Sequence, residues 1–181
     1  MERNFELDPA AARARYVQCW LRDMAEEVGV AAPEDSADCV VLAEAAHAYI
    51  TARVDAAYPG VPEAIWALNQ AGCTLYTASG EHSRDLAGYL SCLGVVQCFV
   101  TLYGVDLVGV PKENPRYYER IFAHAGVTPS DALVVDDSEK RLDHASASGA
   151  RTVLCGPRSP ASSRHRHIVA LAALPELLQI G

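Results

Sequence analysis

The sequence predicts an α/β fold, in which a parallel β-sheet is flanked by helices and preceded by a small pair of N-terminal helices. From residue 58 onward, short apolar segments alternate with amphipathic segments of about ten residues, and glycine follows most of the latter. Strands that alternate with helices of this length indicate βαβ units with right-handed crossovers. The clearest strand lies at residues 132–135, which are wholly apolar and run into Asp136 and Asp137. Such a segment is typical of a strand buried on both faces.

Composition narrows the class of protein and of partner. The 181 residues suffice for one α/β domain with a small helical cap. Fifteen basic and 23 acidic residues give a net charge of −8, which argues against a nucleic acid or an anionic membrane as the partner. The chain contains no apolar run as long as a membrane span, and its six cysteines form no C-x-x-C pair. We therefore predict a cytoplasmic protein without a zinc site or a disulfide framework.

The first 57 residues are predicted to form a helical cap segment. Asp8 and Pro9 are predicted to be the N-cap and the first residue of one helix. A second helix is predicted to begin at Asp35 or Ser36. Tyr58-Pro59-Gly60 then interrupts the helical pattern. We place a boundary there, with the helical cap at residues 1–57 and an α/β core at residues 58–181.

The core is predicted to contain four strands and five helices. The predicted strands are residues 73–77, 95–100, 132–135 and 152–155. The predicted helices are residues 62–71, 83–93, 115–125, 138–148 and 168–178. Residues 101–114 and 156–167 are predicted to be loops.

Three polar sites follow or lie beside strands of this core. Thr77, Ala78 and Ser79 come at the end of one strand, where a hydroxyl and free backbone N–H groups can bind an anion, or where the hydroxyl serves only as a helix cap. Lys112 lies just before the predicted helix at residues 115–125, where a lysine can act as a point charge on phosphate. Asp136 and Asp137 repel each other unless a cation or a proton lies between them. The pair suits Mg²⁺, although it can also simply cap the following helix.

The order of a hydroxyl, a lysine and an aspartate pair along one edge of a sheet resembles the haloacid dehalogenase (HAD) superfamily. Most of its members are Mg²⁺-dependent phosphohydrolases, so the resemblance implies a Rossmann-like HAD-type sheet and a small phosphorylated substrate. It implies that Thr77, Ala78, Ser79 and Lys112 hold the phosphoryl group, with Lys112 stabilising negative charge. By the same resemblance, Asp136 and Asp137 hold Mg²⁺. Arg141 stands where some members carry a further acid.

The first motif of that family, a strand ending in Asp-x-Asp that supplies the nucleophile, is not found before Thr77. Asp8 is the one early candidate, and Glu6 stands where a doubly buried strand requires an apolar residue. In the family this strand lies between those that end near Thr77 and Asp136, so its loss implies two unpaired edges inside the sheet. The nucleophile therefore remains unknown.

Two explanations remain open at this point. In one, the chain starts late, at an internal methionine, and the full protein is a phosphohydrolase. In the other, the protein is a non-catalytic HAD-like module that binds phosphate, metal or another protein. Another segment, or an oligomer, would then complete the sheet.

Overall fold

The structure is a computed structural model that describes residues 9–158 and 163–180. It begins with two packed helices, α1 (Pro9–Glu27) and α2 (Ser36–Thr51). The Asp35 carboxylate accepts hydrogen bonds from two backbone N–H groups in the first turn of α2 and therefore acts as its N-cap. Apolar side chains join the two helices. Asp8, the predicted N-cap of α1, lies outside the described residues.

The α/β fold class predicted from the sequence is confirmed. The strands are β1 (Leu75–Ala78), β2 (Phe99–Tyr103), β3 (Leu133–Asp136), β4 (Arg151–Cys155) and β5 (Arg166–Ile168). The helices that accompany them are α3 (Val61–Gln70), α4 (Ser83–Cys92), α5 (Val105–Val108), α6 (Tyr117–Ala125), α7 (Glu139–Ala147) and α8 (Leu174–Leu177). Every strand pair is parallel.

In the described part of the chain, the strands form two sheets. One contains β1 and β2, and the other has the order β3-β4-β5. Among residues 9–158 and 163–180, no strand lies between β1 and β3, so each of these two strands has one edge without a strand partner. The break falls between the strand that carries Thr77 and the strand that ends in Asp136.

Helices and the C-terminal segment cover the two faces of this broken sheet. Tyr118, Ile121 and Phe122 of α6 pack with Val134 on one face. Leu68 of α3 and the apolar C-terminal residues pack on the other face, which also receives alternate side chains of β3. Both faces of β3 are therefore covered, as its uninterrupted apolar sequence predicts.

The helical pair is attached to the core mainly through α4. Glu44 and Arg84 form an ion pair at 2.7 Å, and His47 lies 3.7 Å from Asp85. Farther along, α2 and α4 meet at a glycine: a Cβ atom at Gly88 would clash with the side chain of Thr51. A side chain at residue 88 would therefore push the two helices apart.

Two predictions for the C-terminal region are wrong. Residues 156–167 are not all loop, because β5 begins at Arg166 and pairs with β4. Residues 168–178 are not one helix, because only a 3₁₀ turn (Leu171–Ala173) and α8 are helical there. Pro175 cannot donate a helical hydrogen bond, which confines it to the first turn of α8.

Some boundaries in the middle of the chain also differ from the predictions. Residues 101–114, predicted to be a loop, contain the end of β2 and the short helix α5. A 3₁₀ turn (Val96–Cys98) replaces the first half of the predicted strand at residues 95–100. Within the described part of the chain, no helix is both long and apolar enough to cross a membrane.

Candidate active site

The Asp136 carboxylate lies at the carboxyl end of β3 and is almost fully buried. Lys112 Nζ lies 2.6 Å from its Oδ2 atom, to which the Tyr118 hydroxyl also donates a hydrogen bond at 3.1 Å. The Ser138 N–H donates to Oδ1 at 2.9 Å. The side chains of Asp136 and Lys112 are only 2% and 12% exposed. A buried charge is tolerated when it is paired and hydrogen-bonded in this way.

The local sequence explains how these groups are placed. The hydrogen bond from Ser138 to Asp136 turns the chain from β3 into α7, and short polar side chains favour such turns. Lys112 follows Gly109, whose φ of 71° ends α5 in a left-handed conformation. Asn114 then accepts a hydrogen bond from the Arg116 N–H, at the start of the turn that leads into α6.

The charges of this group follow from its surroundings. Burial alone would raise the pKa of Asp136, but the Lys112 ammonium and the Ser138 N–H outweigh it, so the pKa lies below its ordinary value. Burial and the nearby Asp136 charge raise the pKa of the Tyr118 hydroxyl. At neutral pH Asp136 is therefore an ionised acceptor, and Tyr118 is a protonated donor.

Asp137 differs from its neighbour because its side chain is 81% exposed. Arg141 Nη1 lies 3.8 Å from Oδ1 of Asp137 and 3.8 Å from Oδ1 of Asp136. The same guanidinium binds Glu113 at 2.7 Å, which raises the pKa of Arg141 and lowers that of Glu113. Arg141 therefore places positive charge beside both aspartates.

At the end of β1, the polar groups bind the neighbouring strand and loop. The Thr77 hydroxyl donates to the Tyr103 carbonyl at 3.2 Å, and the Ser79 N–H donates to the same oxygen at 3.0 Å. The Ser79 hydroxyl accepts a hydrogen bond from the Glu81 N–H at 3.1 Å. Ala78 is the last residue of β1. The predicted anion-binding segment thus lies at a strand end, with its side chains already hydrogen-bonded within the protein.

Two adjacent tyrosines of α6 connect the two strand ends, and the sequence analysis did not identify them. The Tyr117 hydroxyl donates to the Ser79 carbonyl at 2.8 Å, while the Tyr118 hydroxyl donates to Asp136. Successive helical side chains point about 100° apart, so one helix turn can reach two different partners. The two adjacent tyrosines a few residues after Lys112 were the sequence feature that could have identified them.

The structure therefore brings together only some of the predicted site residues. Lys112 and Asp136 are in direct contact, and Asp137 is near them beside Arg141. In the described residues, no hydrogen bond or ion pair joins Thr77 to Lys112 or Asp136. Their roles in binding phosphate and metal stay predictions.

The aspartate pair supplies oxygen ligands of the kind that Mg²⁺ prefers. Mg²⁺ sites use one or two carboxylates and are completed by water and substrate phosphate. The exposed Asp137 carboxylate and Oδ1 of Asp136 match that donor set. Within residues 9–158 and 163–180, no group of three or more acidic, histidine or cysteine side chains is arranged to hold a metal ion. A metal here would therefore depend on the two aspartates and on ligands from outside the protein.

Comparison with known proteins gives the family. A family model described as haloacid dehalogenase-like hydrolase matches residues 5–149, so the chain belongs to the haloacid dehalogenase-like hydrolase family. The Rossmann-like sheet and the resemblance noted from the sequence are thereby confirmed.

Individual proteins match the chain at modest sequence identity. The chain is 32% identical over 92 residues to a phosphoglycolate phosphatase of Mesorhizobium japonicum, a match that covers 51% of the chain and 40% of that protein. It is 28% identical over 127 residues to (S)-2-haloacid dehalogenase 1 of Pseudomonas sp. CBS-3, a match that covers 67% of the chain and 56% of that protein. A HAD phosphatase from Thermococcus onnurineus has a similar structure, with a TM-score of 0.62, 15% identity, and coverage of 92% and 89%.

The matched regions are shorter than the relatives themselves. The chain spans about 40% and 56% of the lengths of the two curated relatives above. The structural likeness, at 15% identity, shows the fold alone.

Proposed function

We propose that this chain is the core of a Mg²⁺-dependent phosphohydrolase that acts on a small phosphorylated metabolite. The contact between Lys112 and Asp136 at the carboxyl end of β3 is the observation that supports this proposal most strongly. In open parallel sheets, ligands bind beyond the carboxyl ends of the strands. Family membership and the phosphoglycolate phosphatase relatives agree with a hydrolase of this class.

The proposed phosphate site combines Lys112 with the end of β1. Asp136 holds the Lys112 ammonium in place, so its remaining protons can be donated to a phosphate oxygen. Thr77 would join this site by turning its hydroxyl from the Tyr103 carbonyl toward the phosphate. Ala78 and Ser79 would contribute the backbone that follows β1.

The proposed metal site consists of Asp136 and Asp137. Bound Mg²⁺ would neutralise charge on the phosphoryl oxygens. Arg141 already lies beside both carboxylates, and it must move aside or contact the phosphate directly when a cation binds. We therefore expect weak Mg²⁺ affinity in the absence of phosphate, because like charges compete for the same oxygens.

Helices α1 and α2 are proposed to form the cap that selects the substrate. They attach to α4, which begins a few residues after the end of β1. A cap in this position can exclude water from the carboxyl edge of the sheet.

A non-catalytic phosphate-binding or interaction module is the second candidate. It is favoured by the state of Asp136, whose oxygens accept from Lys112, Tyr118 and Ser138. A carboxylate with its lone pairs engaged in this way is a poor nucleophile. Turnover would thus require a nucleophile other than this aspartate.

Titration with inorganic phosphate tests the binding site, with and without Mg²⁺. We expect Mg²⁺-enhanced binding that weakens at least tenfold in Lys112→Met and is unchanged in Lys140→Met, a matched change at an exposed lysine of α7. Equal binding by both variants would contradict the proposed site. Release of phosphate from a generic aryl phosphate then separates the two candidates, because only a hydrolase turns the ester over.

A further inference from the structure

One exposed side of helix α2 is apolar along most of its length. Six of its exposed positions recur at intervals of three and four residues, which places them on one face of the helix. They are Val41, Leu42, Ala45, Ala48, Tyr49 and the C-cap residue Ala52. We call these six residues the α2 face. None of them is charged, and its three large side chains are all between 48% and 69% exposed.

The opposite side of α2 makes the contacts with the rest of the protein. Cys39 and Ala43 pack against α1, and Thr51 lies against α4. The exposed residues of α1, by contrast, are largely charged, and they include Arg15, Arg22, Asp23, Glu26 and Glu27. A helix that is apolar on two opposite sides is normally buried on both. Within the described residues, no element covers the α2 face.

The size of the α2 face fits one further helix. At about 1.5 Å per residue it is about 16 Å long, and it is about 10 Å wide. Alanines in its middle allow another helix to approach closely. One helix pair buries less than the roughly 1,200–2,000 Å² of a stable complex, and a net charge of −8 makes two copies repel. Any association between copies should therefore be weak and concentration-dependent.

Charges of opposite sign lie at the two ends of the α2 face. Asp38 is exposed in the first turn of α2, and Arg53 is exposed just beyond its last turn. The Arg53 guanidinium lies 3.7 Å from the centre of the Tyr49 ring and donates to the Tyr49 carbonyl at 3.0 Å. These contacts hold the positive charge beside the apolar surface. Asp38 and Arg53 are about 22 Å apart along the helix, with Ala45 near the midpoint.

This arrangement is complementary to itself. When two α2 faces pack antiparallel with Ala45 at the centre, Asp38 of each copy lies beside Arg53 of the other. Leu42 of each copy then meets Tyr49 of the other. Parallel packing would instead place like charges together, which is unfavourable at an interface. The charges therefore select the antiparallel arrangement, in which a twofold axis brings the same surface of both copies together.

We propose that the α2 face binds the same face of a second copy of this chain and forms an antiparallel, twofold-symmetric dimer. Any partner for this face must supply an apolar helix with a base opposite Asp38 and an acid opposite Arg53. The chain itself already carries that helix. The dimer requires neither phosphate nor metal, so it is independent of the function proposed above.

Sedimentation of the whole chain, from low micromolar to submillimolar concentration, tests this proposal. We expect a monomer at the lowest concentration and a dimer at the highest. Val41→Glu should abolish the dimer, because it places a charge within the α2 face. Val100→Glu on β2 is the matched control, since Val41 and Val100 are 69% and 68% exposed, and it should not affect the dimer. Circular dichroism establishes that each variant folds.

An exchange of charges tests the antiparallel arrangement. Asp38→Arg and Arg53→Asp each bring like charges together and should weaken the dimer by about tenfold or more. The double variant Asp38→Arg/Arg53→Asp restores opposite charges and should recover the dimer. Arg22→Asp makes the same change of charge on the exposed side of α1 and should leave the dimer unchanged.

Three results would overturn the proposal. A chain that stays monomeric at the highest concentration would assign the α2 face to a different protein. A dimer that survives Val41→Glu, or that is lost in Val100→Glu, would lie on another surface. Single charge variants that dimerise like the wild type, or a double variant that does not recover, would contradict the antiparallel pairing.

Discussion

The carboxyl ends of β1 and β3 are held in different ways, although both carry predicted phosphate or metal ligands. Asp136, at the end of β3, is a buried charge that accepts hydrogen bonds from three elements of the structure. Thr77 and Ser79, near the end of β1, are neutral and bind mainly the adjacent β2 through the Tyr103 carbonyl. The end of β3 is thus held by a buried ion pair and hydrogen bonds to a charged group. The end of β1 is held by hydrogen bonds between neutral groups within its own sheet.

Within residues 9–158 and 163–180, side chains of α6 connect the two ends. Tyr117 binds the chain just after β1, and Tyr118 binds the end of β3. In a continuous sheet, a ladder of backbone hydrogen bonds would do this. Here two hydroxyl groups of α6 bind the two strand ends, one to a neutral carbonyl and one to a carboxylate. Changes at the two ends should therefore differ in size according to the charge involved.

The largest effect is expected at the β3 end. Lys112→Met leaves the Asp136 carboxylate buried without its cation, which should lower the free energy of unfolding by about 3–5 kcal/mol. Urea denaturation measures this loss. Lys140→Met, on the exposed side of α7, should change the free energy by less than about 0.5 kcal/mol. Similar losses in the two variants would show that the β3 end is not held by the buried pair.

The second effect is a dependence of stability on pH. Because the pKa of folded Asp136 lies below the ordinary 3.8, its ionised form contributes stability above that pH. That contribution is lost as the pH falls through the depressed folded value. Urea denaturation at pH 5, 4 and 3 should give a steeper decline for the wild type than for the double variant Lys112→Met/Asp136→Asn. Parallel declines would contradict the assigned charge state of Asp136.

A smaller effect distinguishes the two tyrosines of α6. Tyr118→Phe removes a hydrogen bond to a charged group and should lower the free energy of unfolding by about 1.5–3 kcal/mol. Tyr117→Phe removes a hydrogen bond to a neutral carbonyl and should lower it by about 0.5–1.5 kcal/mol. Each variant serves as the control for the other, since both retain the ring. Denaturant titration gives the free energies, and the reverse order would refute the comparison between the strand ends.

The smallest change is expected at the β1 end. Thr77→Val keeps the shape of the side chain and removes its hydrogen bond to the Tyr103 carbonyl, which should cost about 0.5–1.5 kcal/mol. Thr74→Val, at an exposed position just before β1, provides the matched control. Phosphate titration of Thr77→Val adds a functional measurement. Unchanged phosphate affinity would remove Thr77 from the proposed site.

Sequence reasoning succeeded where the signal was local. The uninterrupted apolar residues 132–135 predicted β3, and Asp136 follows them at its carboxyl end. The order of Thr77, Lys112 and the aspartates led to the family that the comparison then showed. Sequence reasoning did not predict β5, because Ile168 is the one apolar residue of its three. The segment forms a strand through its pairing with β4.

The sequence by itself determined the α/β class and the family, and it placed Lys112 and Asp136 on one edge of the sheet, because short apolar strands and the residues that follow them are local features. Only the tertiary structure decided that Lys112 contacts Asp136, that Arg141 lies beside both aspartates, and that adjacent tyrosines bridge the two strand ends. These features join residues far apart in the chain. Their geometry depends on how helices pack over the sheets, which no single segment encodes.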